Sequence, residues 1–295
     1  MRGWWRDLTD LVLPTECGGC GRPRTVLCPE CRAALSGAVP CRVRPLPEPP
    51  GLPAVHAAAP YTDEVRATLL AHKERGALAL SGPLGAALAG AVLAALRAGL
   101  KADCGVRVGL GTRADPGART DPGAGGPVLL VPVPSARSAV RARGHDPARR
   151  IALAAAGELR RSGTPARVLA VLRQRRAVAD QAGLNSRQRM GNLAGALEVA
   201  AGSARLLLGG PVVLVDDLMT TGASLREAAR ALNTAVYVAE TREEMGERKI
   251  GTGWKGASSV YRAPEMASAH RAREVICAAV VAAPPDSFAI NRNWQ

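Results

Sequence analysis

A chain of 295 residues has room for one large domain with a small appendage, or for two ordinary domains. It is 47% hydrophobic but only 3% aromatic, with a single Phe, so its core has to be built from Ala, Leu and Val; that suits helices packed on a parallel sheet and argues against an aromatic-rich all-β fold. The net charge of +14 points to a polyanionic partner or a phosphorylated ligand, and the excess is local, since residues 127–211 hold 14 Arg, no Lys and 4 acids.

The first residues, Met1-Arg-Gly-Trp-Trp-Arg, meet Asp7 and Asp10 before any long apolar run, so no secretory signal is expected. The uncharged stretch 76–96 is mostly Ala and is broken by Ser81-Gly82-Pro83; it predicts a loop and a buried helix, with no membrane span. The expected location is cytoplasmic. In a reducing compartment, paired cysteines report metal or redox chemistry more often than disulfides.

Five of the seven Cys lie in residues 1–45. Cys17-Gly-Gly-Cys20 and Cys28-Pro-Glu-Cys31 give C-x2-C-x7-C-x2-C, two close thiolate pairs suited to one tetrahedral Zn²⁺, with Gly18, Gly19 and Gly21 allowing tight turns. Neither pair opens a βαβ unit, which argues against a redox motif; four free thiols are the plain alternative. Cys41, Cys104 and Cys277 have no partner at ligand spacing and are expected to be free thiols. Residues 45–53 carry five Pro in nine positions and predict a stiff, extended linker between the zinc segment (1–45) and the main domain (54–295).

Residues 54–100 look helical from about Asp63, and 101–127, rich in Gly, Asp and Pro, predict a loop insertion. From 128 the pattern becomes strand, loop, helix: an apolar strand from Val128, a helix starting at Asp146-Pro147 and stopping at Gly163, a short apolar run at 168–172, a strand from Val212, a helix over 223–232 and a last strand at 275–283. Such alternation predicts an α/β fold with a parallel, helix-covered sheet.

The segment Val212-Val-Leu-Val-Asp216-Asp217-Leu-Met-Thr220-Thr221-Gly222-Ala223-Ser224 carries the most chemistry. A buried strand delivers two carboxylates at its C-terminal end, where ligands of open α/β sheets bind. The turn and helix start that follow offer free N–H groups and hydroxyls to a phosphate. Carboxylates beside a phosphate cradle make sense if they accept hydrogen bonds from sugar hydroxyls near a divalent cation, which together describe a ribose 5-phosphate.

This string resembles the phosphoribosyl-diphosphate (PRPP) motif of type I phosphoribosyltransferases, and the whole chain resembles the ComF family, competence-protein-F-like proteins that join a four-cysteine zinc segment to such a domain. The likeness covers most of residues 10–232 and the stretch from about Arg273. It implies a type I phosphoribosyltransferase-like parallel sheet flanked by helices, with Mg²⁺ accompanying PRPP. It also implies that Asp216 and Asp217 contact the ribose hydroxyls while Thr220, Thr221, Gly222, Ala223 and Ser224 cradle the 5-phosphate.

Three further segments resemble the family. The loop after the Val128 strand, with Arg137, Arg141 and Arg143, fits a diphosphate by charge, or is a solvated basic loop; here His145-Asp146 stands where the family has an aromatic and Asn. Gln181, Arg189 and Asn192 fall where the family has a loop that closes over the reaction centre, or form a capped helix from Ser186 with a basic face. Lys73 is one of four lysines and matches a diphosphate contact of the family, or is an ordinary surface Lys. Residues 233–270 depart from the family pattern as an atypical insertion: an extra lobe, a loop or an irregularity. His56 and His270 have no supporting context.

The expected function is a Mg²⁺-dependent phosphoribosyltransferase with an unidentified acceptor. The rival is a non-catalytic accessory in DNA uptake that binds single-stranded DNA or competence machinery and uses PRPP as a regulatory ligand; the scarcity of aromatics argues against a dedicated single-strand binder. The chain is compatible with a homo-oligomer.

Overall fold

A computed structural model describes residues 16–102, 126–176, 186–250 and 277–291. Its strands are β1 (Cys41–Val43), β2 (Val55–Pro60), β3 (Val128–Pro132), β4 (Ala166–Val168), β5 (Leu172–Gln174), β6 (Leu197–Val199), β7 (Val212–Leu218) and β8 (Cys277–Ala283). Its α-helices are α1 (Pro29–Ser36), α2 (Asp63–Glu74), α3 (Ser81–Ala102), α4 (Arg137–Arg143), α5 (Pro147–Arg161), α6 (Ser186–Leu193) and α7 (Ala223–Ile250).

Six strands form one sheet in the order β1-β2-β8-β7-β3-β4, parallel except for the β1–β2 edge, while β5 and β6 form a separate antiparallel ribbon. The alternation along β7 explains the layers. Val213 and Val215 face a core shared with α2, α3 and α5, and Val212 and Leu214 face a second core under α7 and the β5–β6 ribbon. Both faces are covered, which is why β3, β7 and β8 read as unbroken apolar runs. The small side chains have a purpose here: Ala278, Ala279, Ala282 and Ala283 of β8 are fully buried, and Ala152, Ala155 and Ala156 of α5 pack where α3 crosses it closely.

The chain runs from β3 through α5 to β4 on one side of the sheet, and from β7 through α7 to β8 on the other. The two helices lie on opposite faces. The crossovers from β3 and β7 therefore run in opposite directions along the sheet, and the crevice outside the C-terminal ends of these two parallel strands is the topological switch point where α/β sheets bind ligands.

Several expectations change. Residues 55–60, ahead of the helix expected from about Asp63 and given no element there, form β2, central between β1 and β8, because burial on both faces overrides the weak strand preference of its three alanines. The cysteine segment is not set apart either. Cys17, Leu27, Cys28, Cys31 and Leu35 belong to the same hydrophobic cluster as Leu69, Leu80, Leu84 and Leu88, and β1 joins the sheet. The Pro-rich 45–53 stretch is a strap, not a free spacer: Pro45 and Pro49 are buried, Leu52 packs on the second core, and Arg226 Nε donates to the Pro50 carbonyl at 2.9 Å. The segment 137–143 is helix rather than loop. The motif helix does not stop at 232 but continues to Ile250, so the first half of the atypical 233–270 region is simply more α7. Residues 251–270, most of the 101–127 insertion, and Cys104, His270 and Arg273 lie outside the described residues.

The start of α5 follows expectation: the Asp146 carboxylate caps it by accepting from Arg149 N–H at 3.3 Å, with Pro147 in the first turn. The apolar segment Leu78–Gly99 is long and apolar enough to cross a membrane by length and composition, and half of it is buried inside the protein, where Leu84, Leu88, Ala91, Val92 and Ala95 of α3 pack in the first core.

Candidate functional site

β7 ends at the sheet's C-terminal edge with Asp216 and Asp217, side by side and pointing to opposite faces as a strand dictates. Asp217 is 7% exposed. Its backbone N–H donates to Asp216 Oδ1 at 2.8 Å, which turns the first carboxylate back over the strand end. Burial and the neighbouring Asp217 carboxylate push the Asp216 pKa well above its ordinary value, against an opposing pull from Lys73.

The turn after β7 opens a pocket lined by Asp216, Leu218, Met219, Thr220, Thr221, Gly222, Ala223, Ser224 and Leu225, enclosing about 250 Å³ including its mouth. The turn is shaped by Gly222, whose φ of +75° is left-handed and whose missing side chain leaves space for the strap residue Leu52. No N–H from Thr220 to Ser224 donates to a backbone carbonyl among the described residues; Met219 N–H is held by the Ala282 carbonyl and Arg226 N–H by that of Gly222. The five amides of residues 220–224, all in residues that line the pocket, are thus without backbone acceptors at the positive end of a 28-residue helix.

Two basic side chains from distant segments meet this strand end and turn. Lys73, near the end of α2, donates from Nζ to Asp217 Oδ2 at 3.0 Å. Its burial would lower its pKa, but the carboxylates of Asp217 and Asp216 outweigh that and raise it. Arg189 of α6 donates from Nη1 to Thr220 Oγ1 at 3.2 Å, and its buried Nε has no described partner. The ribbon that precedes and follows α6 is fixed to α7 by Glu227, whose Oε1 accepts the Leu197 N–H at 3.2 Å and which Arg230 grips at 2.7 Å.

The other expected anion contacts fare differently. Arg143 does not face the pocket: its Nε and Nη2 donate to both carboxylate oxygens of Glu74, at 3.0 and 2.8 Å. Arg137 and Arg141 are exposed on α4 with no acidic partner among the described residues. Asn192 is at the end of α6. Gln181 lies outside the described residues. Sequence reasoning missed His72 and His145. Both are buried, with ring centroids 5.6 Å apart in an edge-to-face arrangement, next to Lys73. The signal for them was the replacement of an aromatic by His145 in a segment otherwise like the family's. His56 is buried on β2, and burial lowers its pKa.

Beside α2, Cys17, Cys20, Cys28 and Cys31 bring all four sulfurs within 4.8 Å of one another. Four ligands at the usual Zn–S length of about 2.3 Å stand about 3.8 Å apart in a tetrahedron, and Cys20 and Cys28 are already at 3.6 Å. These four thiols fit one structural metal ion such as Zn²⁺. Burial pushes the Cys17 thiol up, but the N–H groups of Cys20, Cys28 and Gly19 outweigh it and bring it down to about 6; burial and the surrounding thiols raise Cys31. One sulfur is therefore poised as thiolate, and a bound cation would take the others there. Gly19 is required by packing: a Cβ there would lie 2.6 Å from Cys31 Sγ.

In comparisons with known proteins, the chain matches no family model and no curated protein.

Proposed function

We infer that the chain is a phosphoribosyltransferase-like protein of the ComF type, binding PRPP with Mg²⁺ at the β7–α7 turn and transferring its phosphoribosyl group to a nucleophile. The observation that carries this reading is the pocket itself: the Asp216 carboxylate and a run of amides without backbone partners share one small cavity at the sheet's switch point, with Arg189 brought to its Thr220 and Lys73 to the adjacent Asp217 from sequence-distant elements. The amides of residues 220–224 suit the 5-phosphate. Asp216 and Asp217 suit the 2′- and 3′-hydroxyls, and the Lys73 ammonium beside them suits a diphosphate by charge.

In the proposed reaction the bond from the anomeric carbon to the diphosphate oxygen breaks with its electron pair leaving on diphosphate. The acceptor's lone pair then forms the new bond to that carbon. Mg²⁺ would neutralise the departing charge. The protein's own part is to orient the sugar by its hydroxyls and phosphate and to hold the lysine ammonium near the leaving group. The four-cysteine cluster is read as a Zn²⁺ site that fixes the segment before β1. The test is calorimetric titration of PRPP with Mg²⁺ into wild type and an Asp216→Ala/Asp217→Ala variant: saturable binding lost in the variant supports the reading, and no heat from wild type rejects it.

Exposed Arg137 and Arg141, without described acidic partners, favour a second reading in which α4 contacts nucleic acid and PRPP is regulatory. Salt-dependent retention of single-stranded DNA, weakened in Arg137→Ala/Arg141→Ala, would support it.

A further inference from the structure

Lys73 is held from both sides. The residue after it, Glu74, is gripped by the Arg143 fork at 3.0 and 2.8 Å. The residue before it, His72, has its backbone carbonyl 3.2 Å from His145 Nε2, while His145 Nδ1 faces the Arg143 carbonyl at the same distance. His72 lies in the last turn of α2, where carbonyls have no partner further along the helix. The Ala71 carbonyl is taken by Ala77 N–H at 3.1 Å; with its proton on Nε2, His145 caps the next one. Residues 143–145 thus fasten two of three consecutive residues at the end of α2, and the third carries the ammonium that reaches Asp217.

We propose that Arg143 and His145 are positioning residues that set the place of the Lys73 ammonium at the strand end. This rests on the reading of the pocket given above for its consequence in binding, but not for the geometry. A lysine side chain has four rotatable bonds and about 2 kcal/mol of rotamer entropy, so its tip is placed only if its backbone is. Arg143 and His145 supply that from a segment 69 and 73 residues away in sequence. The arrangement also explains why an arginine that looks like an anion contact in the sequence is turned away from the pocket: its charge is used on Glu74.

The chain has only four lysines, so Lys73 is resolvable by NMR of protein labelled at lysine Cε, and its signal is identified by its loss in Lys73→Arg. His145→Phe keeps a ring and removes the N–H donor. Arg143→Gln breaks a partly exposed pair and leaves the core intact. The expected result is that both variants move the Lys73 signal and weaken Mg²⁺–PRPP binding on the order of tenfold, while the charge swap Glu74→Arg/Arg143→Glu restores signal and binding. An unmoved Lys73 signal in folded Arg143→Gln overturns the proposal, as does loss of binding with Lys73 unmoved. If His145→Phe does not fold, Arg143→Gln and the swap decide. If wild type binds no PRPP, the functional reading fails, and the Lys73 signal alone still decides the positioning.

Discussion

Gly222→Ala is the most direct perturbation of the turn on which the pocket depends. The native φ is +75°, a conformation that costs an L-residue roughly 1–2 kcal/mol. The added Cβ would stand 3.0 Å from Leu52 Cδ2 and 3.1 Å from Cδ1. Those atoms are the end of a flexible side chain, so Leu52 can yield by a few tenths of an ångström, adding about 0.5 kcal/mol of rotamer strain. The expected loss is about 2 kcal/mol, which for a protein of this size lowers Tm by roughly 3 °C. It is measured by reversible thermal unfolding followed by circular dichroism. The same shift would move the amides of residues 220–224, so PRPP affinity should fall together with Tm. Repeating the substitution in a Leu52→Ala background separates the two contributions: the packing share disappears and the backbone share stays. A Gly222→Ala protein with wild-type Tm and wild-type ligand binding would refute both the left-handed turn and its role.

Three other outcomes are expected. Burial and Asp217 hold the Asp216 pKa above its ordinary 3.8, so the folded state binds that proton more tightly than the unfolded chain, and stability falls as pH rises from 3.8 through the folded value. Asp216→Asn, which retains an acceptor for the Asp217 N–H, should therefore be more stable than wild type at neutral pH, with the gain fading below 3.8, while binding no ribose phosphate; equal urea midpoints at neutral pH contradict this. Gly19→Ala drives a Cβ against Cys31 Sγ and should lower metal content, read by elemental analysis after competition with a chelator; full retention counts against the four-sulfur geometry. Glu227→Ala leaves the buried Leu197 N–H without its acceptor and Arg230 with only the Leu197 carbonyl, and should cost about 1–3 kcal/mol by denaturant unfolding; an unchanged midpoint would show that the ribbon is not anchored through Glu227.

Local signals were legible in the sequence. The paired cysteines, the Asp146-Pro147 helix start, the apolar β7 run and the acid pair before Thr-Thr-Gly each depend on residues within a few positions of one another, so spacing alone expresses their chemistry. What escaped depends on neighbours distant along the chain. An alanine-rich segment at 55–60 is a strand only because β1 and β8 flank it, and the long α7 passed the point where a helix was expected to stop because burial of Val236 and Ala239 extends its packed face. Charge was the least readable property. An arginine's sequence says nothing of whether its fork is already occupied: Arg143 is committed to Glu74, Arg189 sits on Thr220, and Lys73 lies against Asp217. Composition and spacing specified which chemical groups the protein carries and where they begin along each element. Only tertiary packing decided which of them share a cavity, because a side chain of a few ångströms is aimed by the backbone that other, distant segments hold in place.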